Sequence, residues 1–131
     1  MSIKTKVEEA IMWQWDQSEG ELSHDGAHIS NGYSGRDRGL NNPNMQAAVG
    51  VGPIPRGMWR IVSVGDSPNT GRFTIRLEPE QGTETEGRSA FRIHGDNSRL
   101  NHTASHGCII LPRVVRDKIW NSGDRSLRVV S

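Results

Sequence analysis

The chain has 131 residues, a hydrophobic content of 33% and a formal net charge of +1 from 16 basic and 15 acidic residues. This length predicts one domain with a modest core, and balanced charges without a long basic run argue against nucleic acid as a partner. The single cysteine excludes an internal disulfide, and no apolar run approaches the roughly 20 residues of a membrane span.

The first ten residues, MSIKTKVEEA, carry basic side chains but lack the apolar centre of a signal peptide. We therefore expect residues 1–10 to be a flexible leader segment and residues 11–131 to form a single domain. The absence of a signal peptide predicts synthesis in the cytoplasm and, for any work outside it, another export route.

Alternating apolar residues predict three short strands at the start of the domain. In IMWQWD (11–16), Ile11, Trp13 and Trp15 are expected on one face. ELSH (21–24) and AHIS (27–30) follow, joined by Asp25-Gly26, which is a strong signal for a two-residue hairpin turn.

Residues 32–57 are rich in Gly and Pro, which predicts a long loop with little regular structure. Three further strands are expected. In MWRIVSV (58–64), Trp59, Ile61 and Ser63 alternate with Met58, Arg60 and Val62. FTIRLEP (73–79) and SAFRIHG (89–95) show the same alternation, which places His94 on the face opposite Phe91 and Ile93.

A helix is predicted to begin at Pro112, because proline is tolerated in the first turn of a helix, and to end before Gly123. Val115, Ile119 and Trp120 are expected to face inward. SLRVV (126–130) then closes the chain as a strand. The fold class is therefore mainly β with one short helix.

The stretch HGDNSRLNHTASHGC, from His94 to Cys108, holds the one cysteine and three of the five histidines of the chain. Three explanations are open. A lone cysteine is most often a buried, inert residue. A metal site would need His94, His102, His106 and Cys108, but their spacing lacks the paired ligands typical of zinc, and we expect no metal or cofactor.

The third explanation is nucleophilic catalysis. A thiolate is the reactive form of cysteine, and a histidine within hydrogen-bond reach is the usual base that generates it. The backbone N–H groups of Cys108 and Gly107 are then candidates to hold an oxyanion.

The pattern H-G followed by S-H-G-C resembles the active-site signature of the L,D-transpeptidase (YkuD-type) family. This resemblance implies a β-sandwich or barrel domain. It implies that Cys108 is the nucleophile that is acylated on a peptidoglycan stem peptide, with His94 as its base. The Gly95 carbonyl would orient the imidazole. The remaining residues of the block would shape the active-site turn and oxyanion hole: Ser105, His106 and Gly107.

A narrower resemblance extends over most of the chain, to the L,D-transpeptidase-like effectors of bacterial type VI secretion. Its motifs are W-x-x-D-Q-S-x-G-x-L ending at Leu22, G-Y-S-G (32–35), N-N-P (41–43), G-P-I-P-R-G (52–57), I-H-G-D-N (93–97), S-H-G-C-I-I-L-P (105–112) and S-G-D-R-x-L-x-V (122–129). It implies an antibacterial toxin that is delivered to a rival's periplasm, where it trims or exchanges the terminal D-Ala of tetrapeptide stems. The implied partners are the stem peptide, D-amino acids as acyl acceptors, a cognate immunity protein and a type VI secretion carrier.

Four other residues are candidate substrate contacts: Tyr33, Asp96, Asn97 and Arg36. Two alternatives stay open, a housekeeping L,D-transpeptidase and a non-catalytic peptidoglycan-binding module. The family usually has Arg or Asn two residues after the cysteine, where this chain has Ile110. This departure and the lack of a signal peptide argue against the housekeeping role.

Overall fold

The structure of the protein, a computed structural model, describes residues 12–96 and 105–131. The predicted leader segment (1–10), Ile11, Asn97 and His102 lie outside the described residues, so the predictions about them stay predictions.

Nine strands form one continuous sheet in the order β3-β2-β1-β9-β5-β6-β7-β8-β4. Neighbouring strands are antiparallel except for two parallel pairs, β1 with β9 and β7 with β8. The strands are β1 (Trp13–Asp16), β2 (Glu21–His24), β3 (Ala27–Asn31), β4 (Tyr33–Ser34), β5 (Gly57–Ser67), β6 (Gly71–Pro79), β7 (Arg92–His94), β8 (Ile109–Ile110) and β9 (Ser126–Val130).

One α-helix, α1 (Arg113–Asn121), is present in the described part of the chain and packs against β6 and β7. The prediction of a mainly β domain with a short helix after Cys108 is confirmed. No helix within residues 12–96 and 105–131 is long and apolar enough to cross a membrane.

The N-terminal hairpin follows its sequence signal. Asp25 and Gly26 both have positive φ, 53° and 77°, which is the backbone of the turn that matches the twist of two paired strands. Trp13 and Trp15 are buried on one face of β1, as the alternation predicts.

The core is formed by side chains from most strands and from α1. Their burial is the main favourable contribution to folding, at roughly 25 cal/mol per Å² of apolar surface. The buried residues are Trp13, Trp15, Leu22, Ile54, Trp59, Ile61, Ile75, Leu77, Phe91, Ile93, Ile109, Leu111, Val115, Ile119, Leu127 and Val129.

Two strand predictions were wrong in detail. The register of β5 against β6 shifts between Ile61 and Ser63, so Val64 packs on the core and Ser63 is exposed. A bulge of this kind turns the following side chains to the other face. The strand predicted over residues 89–95 is regular only over Arg92–His94, because Ala90 has a left-handed backbone with φ of 63°.

The predicted loop over residues 32–57 contains one short strand, β4, and two 3-10 turns, Asp37–Gly39 and Pro43–Met45. β4 pairs with β8, with Tyr33 opposite Ile110 and Ser34 opposite Ile109. The glycine-rich segment is therefore fixed against the strand that follows Cys108.

Candidate active site

His94, the predicted base, lies on β7, and Cys108, the predicted nucleophile, directly precedes the neighbouring parallel strand β8. Ile93 pairs with Ile109 and His94 with Ile110, so Cys108, one residue before β8, is diagonal to His94 on the same face of the sheet. The opposite face of these two strands carries Ile93 and Ile109, both buried in the core. The parallel pairing thus keeps the side chains of His94 and Cys108 on one side of the sheet.

The His94 ring is buried and has a fixed tautomer. Its Nδ1 lies 2.8 Å from the Gly95 carbonyl oxygen, which only accepts hydrogen bonds, so Nδ1 carries the proton and Nε2 presents a lone pair. Burial is the main cause that lowers the pKa of His94, and the charges of Arg116 and Arg92 act in the same direction. The imidazole is therefore neutral at neutral pH and suited to accept a proton.

The Cys108 thiol is partly buried and neutral at rest. Its S–H donates to the Ala90 carbonyl oxygen at 3.8 Å, and among the described residues no hydrogen bond joins it to His94. Burial raises the pKa of the thiol, while a backbone hydrogen bond from Arg92 and the charges of Arg92 and Arg88 act against that rise. A thiol in this state must lose its proton before it can act as a nucleophile.

The active-site turn is held from within by a buried serine. The Ser105 hydroxyl donates to the Cys108 carbonyl oxygen at 2.6 Å and accepts from the N–H groups of Gly107, at 3.1 Å, and Gly35, at 2.8 Å. The Gly107 N–H was predicted as an oxyanion donor, but in this arrangement it is engaged inside the turn. The Cys108 N–H is the candidate donor that the turn leaves for this role.

A second buried serine, Ser34, was missed by the sequence analysis. Its hydroxyl donates to the Gly107 carbonyl oxygen at 3.1 Å and accepts from the Ile54 N–H at 2.8 Å. The signal was present in the motif G-Y-S-G, which was assigned to a loop. Through these two bonds Ser34 links the Gly/Pro segment, which is residues 32–57, to the active-site turn.

Two clefts lie near the candidate pair, one lined by Cys108 and the other by Gly95, the residue after His94. The first has a volume of about 260 Å³ and is lined by residues of the turn, of the β6–β7 loop and of the Gly/Pro segment: Val49, Gly50, Gly87, Arg88, Ser89, Ala90, Phe91, His106 and Cys108. The second has a volume of about 560 Å³ and lies at the Gly95 end of β7.

The second cleft brings together two predicted substrate contacts. The Tyr33 hydroxyl donates to Asp96 Oδ1 at 2.6 Å, and both residues line this cleft with Ile110, Arg113 and others. Tyr33, a buried residue of β4, thus orients the carboxylate of Asp96, which lies two residues after His94.

The other predicted contacts are not assembled in this way. Arg36 lies before the first 3-10 turn, where its Nε is 3.6 Å from Asp37 Oδ2, and it is not among the described residues that line either cleft. His106 is exposed, whereas its backbone carbonyl oxygen accepts a hydrogen bond from Arg88. The part of the chain that the structure describes contains no group of three or more His, Cys, Asp or Glu side chains placed to bind a metal ion.

Comparison with known proteins gives a family and a fold. A crystal structure of Mycobacterium tuberculosis L,D-transpeptidase 1 superposes on 93% of this chain with a TM-score of 0.52 and 18% sequence identity. The chain spans 62% of the length of that protein. At this identity the likeness shows the fold alone, and it confirms the predicted L,D-transpeptidase-like domain.

No curated protein matches the chain significantly. The family model of the Tlde1 domain matches residues 28–130, which is more than half of the chain. The chain therefore belongs to the Tlde1-domain family, the L,D-transpeptidase-like effectors of type VI secretion that its motifs resemble.

Proposed function

We propose that the protein is a cysteine-dependent L,D-carboxypeptidase and L,D-transpeptidase that acts on tetrapeptide stems of peptidoglycan. The observation that carries this proposal is the parallel pairing of β7 with β8, which sets His94 and Cys108 on one face with the His94 tautomer fixed by Gly95. Membership of the Tlde1-domain family supports the substrate class.

In the acylation step, Nε2 of His94 takes the proton of the Cys108 thiol as the sulfur attacks the carbonyl carbon of the diamino acid at stem position three. The resulting oxyanion accepts a hydrogen bond from the Cys108 N–H. Loss of one such donor typically lowers the rate by ~10²–10³. Protonated His94 then gives its proton to the departing D-Ala amine, which leaves a thioester on Cys108.

In the second step, water or the amine of a D-amino acid attacks the thioester carbonyl, and His94 accepts the proton of the attacking group. Collapse of this intermediate breaks the C–S bond, and the proton returns to the sulfur. Water yields a tripeptide stem, which is carboxypeptidase activity. A D-amino acid yields an exchanged stem, which is transpeptidase activity.

We further propose that the enzyme is delivered by a type VI carrier to the periplasm of a target bacterium, and that the producing cell is protected by a cognate immunity protein. The loss or exchange of terminal D-Ala would deprive the target of donors for cross-linking. A copy exported to the host periplasm is then expected to be toxic, whereas a copy kept in the cytoplasm is not.

The deciding experiment is a digest of purified tetrapeptide muropeptides with the wild type, Cys108→Ala and His94→Ala, followed by mass spectrometry. The wild type is expected to remove one alanine residue and, with an added D-amino acid, to incorporate it. Both variants should be folded and inactive. A folded wild type that does neither reaction would contradict the proposal and favour a peptidoglycan-binding module.

A further inference from the structure

Arg88 is a buried arginine that contacts the turn carrying Cys108. It comes from the loop between β6 and β7 and is 7% exposed. Its guanidinium donates to four backbone carbonyl oxygens: those of Gln46 at 2.6 Å, Gly52 at 2.9 Å, Pro53 at 2.9 Å and His106 at 3.2 Å.

This set of contacts joins the Gly/Pro segment to the active-site turn. Three of the four acceptors belong to residues 46–53, and the fourth is the carbonyl of His106, two residues before Cys108. The guanidinium also lies 5.0 Å from the centre of the Phe91 ring. Such an arrangement satisfies the hydrogen bonds of a buried arginine without using a carboxylate.

The absence of a side chain at Gly107 follows from the same contact. Gly107 has φ of 129°, and a Cβ at this position would overlap the Arg88 guanidinium. Only glycine combines this backbone conformation with such close approach. The turn that carries Cys108 is therefore built directly against the arginine.

The charge of Arg88 faces the thiol across the smaller cleft, which both residues line. No ion pair of Arg88 within 4.0 Å occurs in residues 12–96 and 105–131. Burial lowers the pKa of Arg88, and Cys108 and Glu86 act against that effect. Arg92 on β7 also acts on the thiol through its charge, and His106 in the turn lines the same cleft.

We propose that Arg88 is a positioning residue for the Cys108 nucleophile: it fixes the turn His106–Cys108 against the Gly/Pro segment and supplies a buried positive charge that favours the thiolate. This proposal deepens the function proposed above and rests on it. The charges of Arg92 and Arg88 both act on the thiol, and Arg88 also donates a hydrogen bond to the turn that carries Cys108.

The test uses Arg88→Met, Arg88→Lys and a remote control, Arg125→Met. Arg125 also donates to a carbonyl, that of Trp120, and stacks on an aromatic ring, so its loss removes the same kinds of contact away from the site. Because the chain has one cysteine, the rate of alkylation by iodoacetamide reports the Cys108 thiolate directly. This rate is measured from pH 6 to pH 10, together with kcat and KM on tetrapeptide muropeptides.

For Arg88→Met we expect the alkylation profile to move to higher pH, so that the rate at pH 7 falls by about threefold or more. We also expect kcat to fall by about tenfold or more, with a smaller change in KM. Arg88→Lys should keep the alkylation profile near that of the wild type, since it keeps the charge. It should still lower kcat, because an ammonium group cannot reach all four carbonyls. Arg125→Met should leave the alkylation profile unchanged.

Folded Arg88 variants with the wild-type profile and kcat would overturn the proposal. Equal loss of kcat in both variants without a shift of the profile in Arg88→Met would also overturn it, since it would mean that the side chain only stabilises the fold. If Arg88→Met does not fold, the kcat of Arg88→Lys is the test. A lowered kcat supports the proposal, and a wild-type kcat overturns it. The alkylation profile needs no muropeptide turnover, so it tests the coupling of Arg88 to Cys108 even if the proposed function fails.

Discussion

The Ser105 hydroxyl donates a hydrogen bond of 2.6 Å to the carbonyl oxygen of Cys108, three residues later in the chain. Ser105 is fully buried, and its oxygen also accepts from two backbone N–H groups, one in the turn and one at Gly35. One hydroxyl therefore sets the direction of the Cys108 peptide and fixes the turn to the end of β4.

Ser105→Ala is expected to lower both stability and activity. The substitution leaves two buried N–H groups without their acceptor, which costs about 1–3 kcal/mol of unfolding free energy. It also frees the Cys108 peptide to rotate, so we expect kcat to fall by about tenfold or more. Urea denaturation and muropeptide kinetics measure the two effects.

The matched control is Ser122→Ala at the end of α1. The Ser122 hydroxyl makes three hydrogen bonds as well, with the Ile119 carbonyl, the Trp13 indole and the Asp124 N–H. This variant should lose some stability but keep the wild-type kcat. An equal loss of kcat in both variants would show that stability, rather than the position of Cys108, accounts for the effect of Ser105→Ala.

The sequence predicted those parts of the fold that depend on local signals. The predicted strand 126–130 is β9 (Ser126–Val130), Asp25-Gly26 forms the hairpin turn, and Gly123 follows the helix with φ of 76°. In each case the turn chemistry or the hydrophobic period of the segment itself determines the structure.

The parts that were missed depend on contacts between distant segments. Arg88, Arg116 and Ser34 have polar side chains that a sequence pattern assigns to the surface, yet all three are buried. Arg116, for example, lies on the inner side of α1, where it donates to the carbonyls of Leu111, Arg72 and Phe73. Such positions depend on which carbonyls the fold leaves unpaired, and the sequence alone does not contain that information.

The candidate site shows the same division. His94 on β7 and Cys108, directly before the neighbouring β8, belong to two short segments with a recognisable pattern. The contact between Tyr33 and Asp96 crosses 63 positions of sequence, and the two residues were predicted separately without their partnership. Their meeting depends on β4 adding to the edge of β8, and the Gly/Pro composition of residues 32–57 gave no signal for that strand.

The pH dependence of catalysis should report the burial of His94. Burial lowers the pKa of this imidazole, so the base stays neutral below the ordinary histidine value of about 6.5. We expect kcat/KM for D-Ala release to rise with pH along an acid limb whose midpoint lies below that value. Muropeptide kinetics between pH 4 and pH 8 measure this limb.

An exposed histidine provides the control for this profile. His28 lies on β3 and is exposed, so His28→Gln should leave the midpoint of the limb unchanged. A midpoint above the ordinary histidine value would be inconsistent with a buried, neutral base at position 94. The limb would then belong to another group.

The contact between Tyr33 and Asp96 is expected to act on substrate binding. Tyr33→Phe removes the hydroxyl that orients the carboxylate, and Asp96→Asn removes the charge on the cleft wall. Each variant should raise KM more than it lowers kcat. The effects of the two substitutions should be less than additive, with a coupling of about 1 kcal/mol, because both act on one hydrogen bond. Tyr33→Phe removes its donor, and Asp96→Asn replaces its charged acceptor with a neutral amide oxygen, which accepts a weaker bond.

The rate of alkylation of Cys108 distinguishes a loss of substrate binding from a change at the thiol itself. The thiol lines the smaller cleft, whereas Tyr33 and Asp96 line the larger one. Iodoacetamide should therefore react with both variants at the wild-type rate. Fully additive effects on KM, or a changed alkylation rate, would argue against a shared role in the larger cleft.

Ala90 holds a strained backbone next to Cys108. Its φ is 63°, which costs a non-glycine residue about 1–2 kcal/mol, and its carbonyl accepts the Cys108 S–H. Ala90→Gly should be close to neutral in unfolding free energy, because the relief of strain is offset by the entropy of glycine in the unfolded chain. Ala90→Val should lose about 1 kcal/mol or more, since a β-branched residue tolerates positive φ worse than alanine does.

Urea denaturation measures both changes, and the same substitutions at exposed Ser89, whose φ is not positive, provide the comparison. Because the Ala90 side chain is exposed, a clash does not explain a loss in Ala90→Val, and equal stability of the Gly and Val variants would mean that residue 90 is not left-handed in solution.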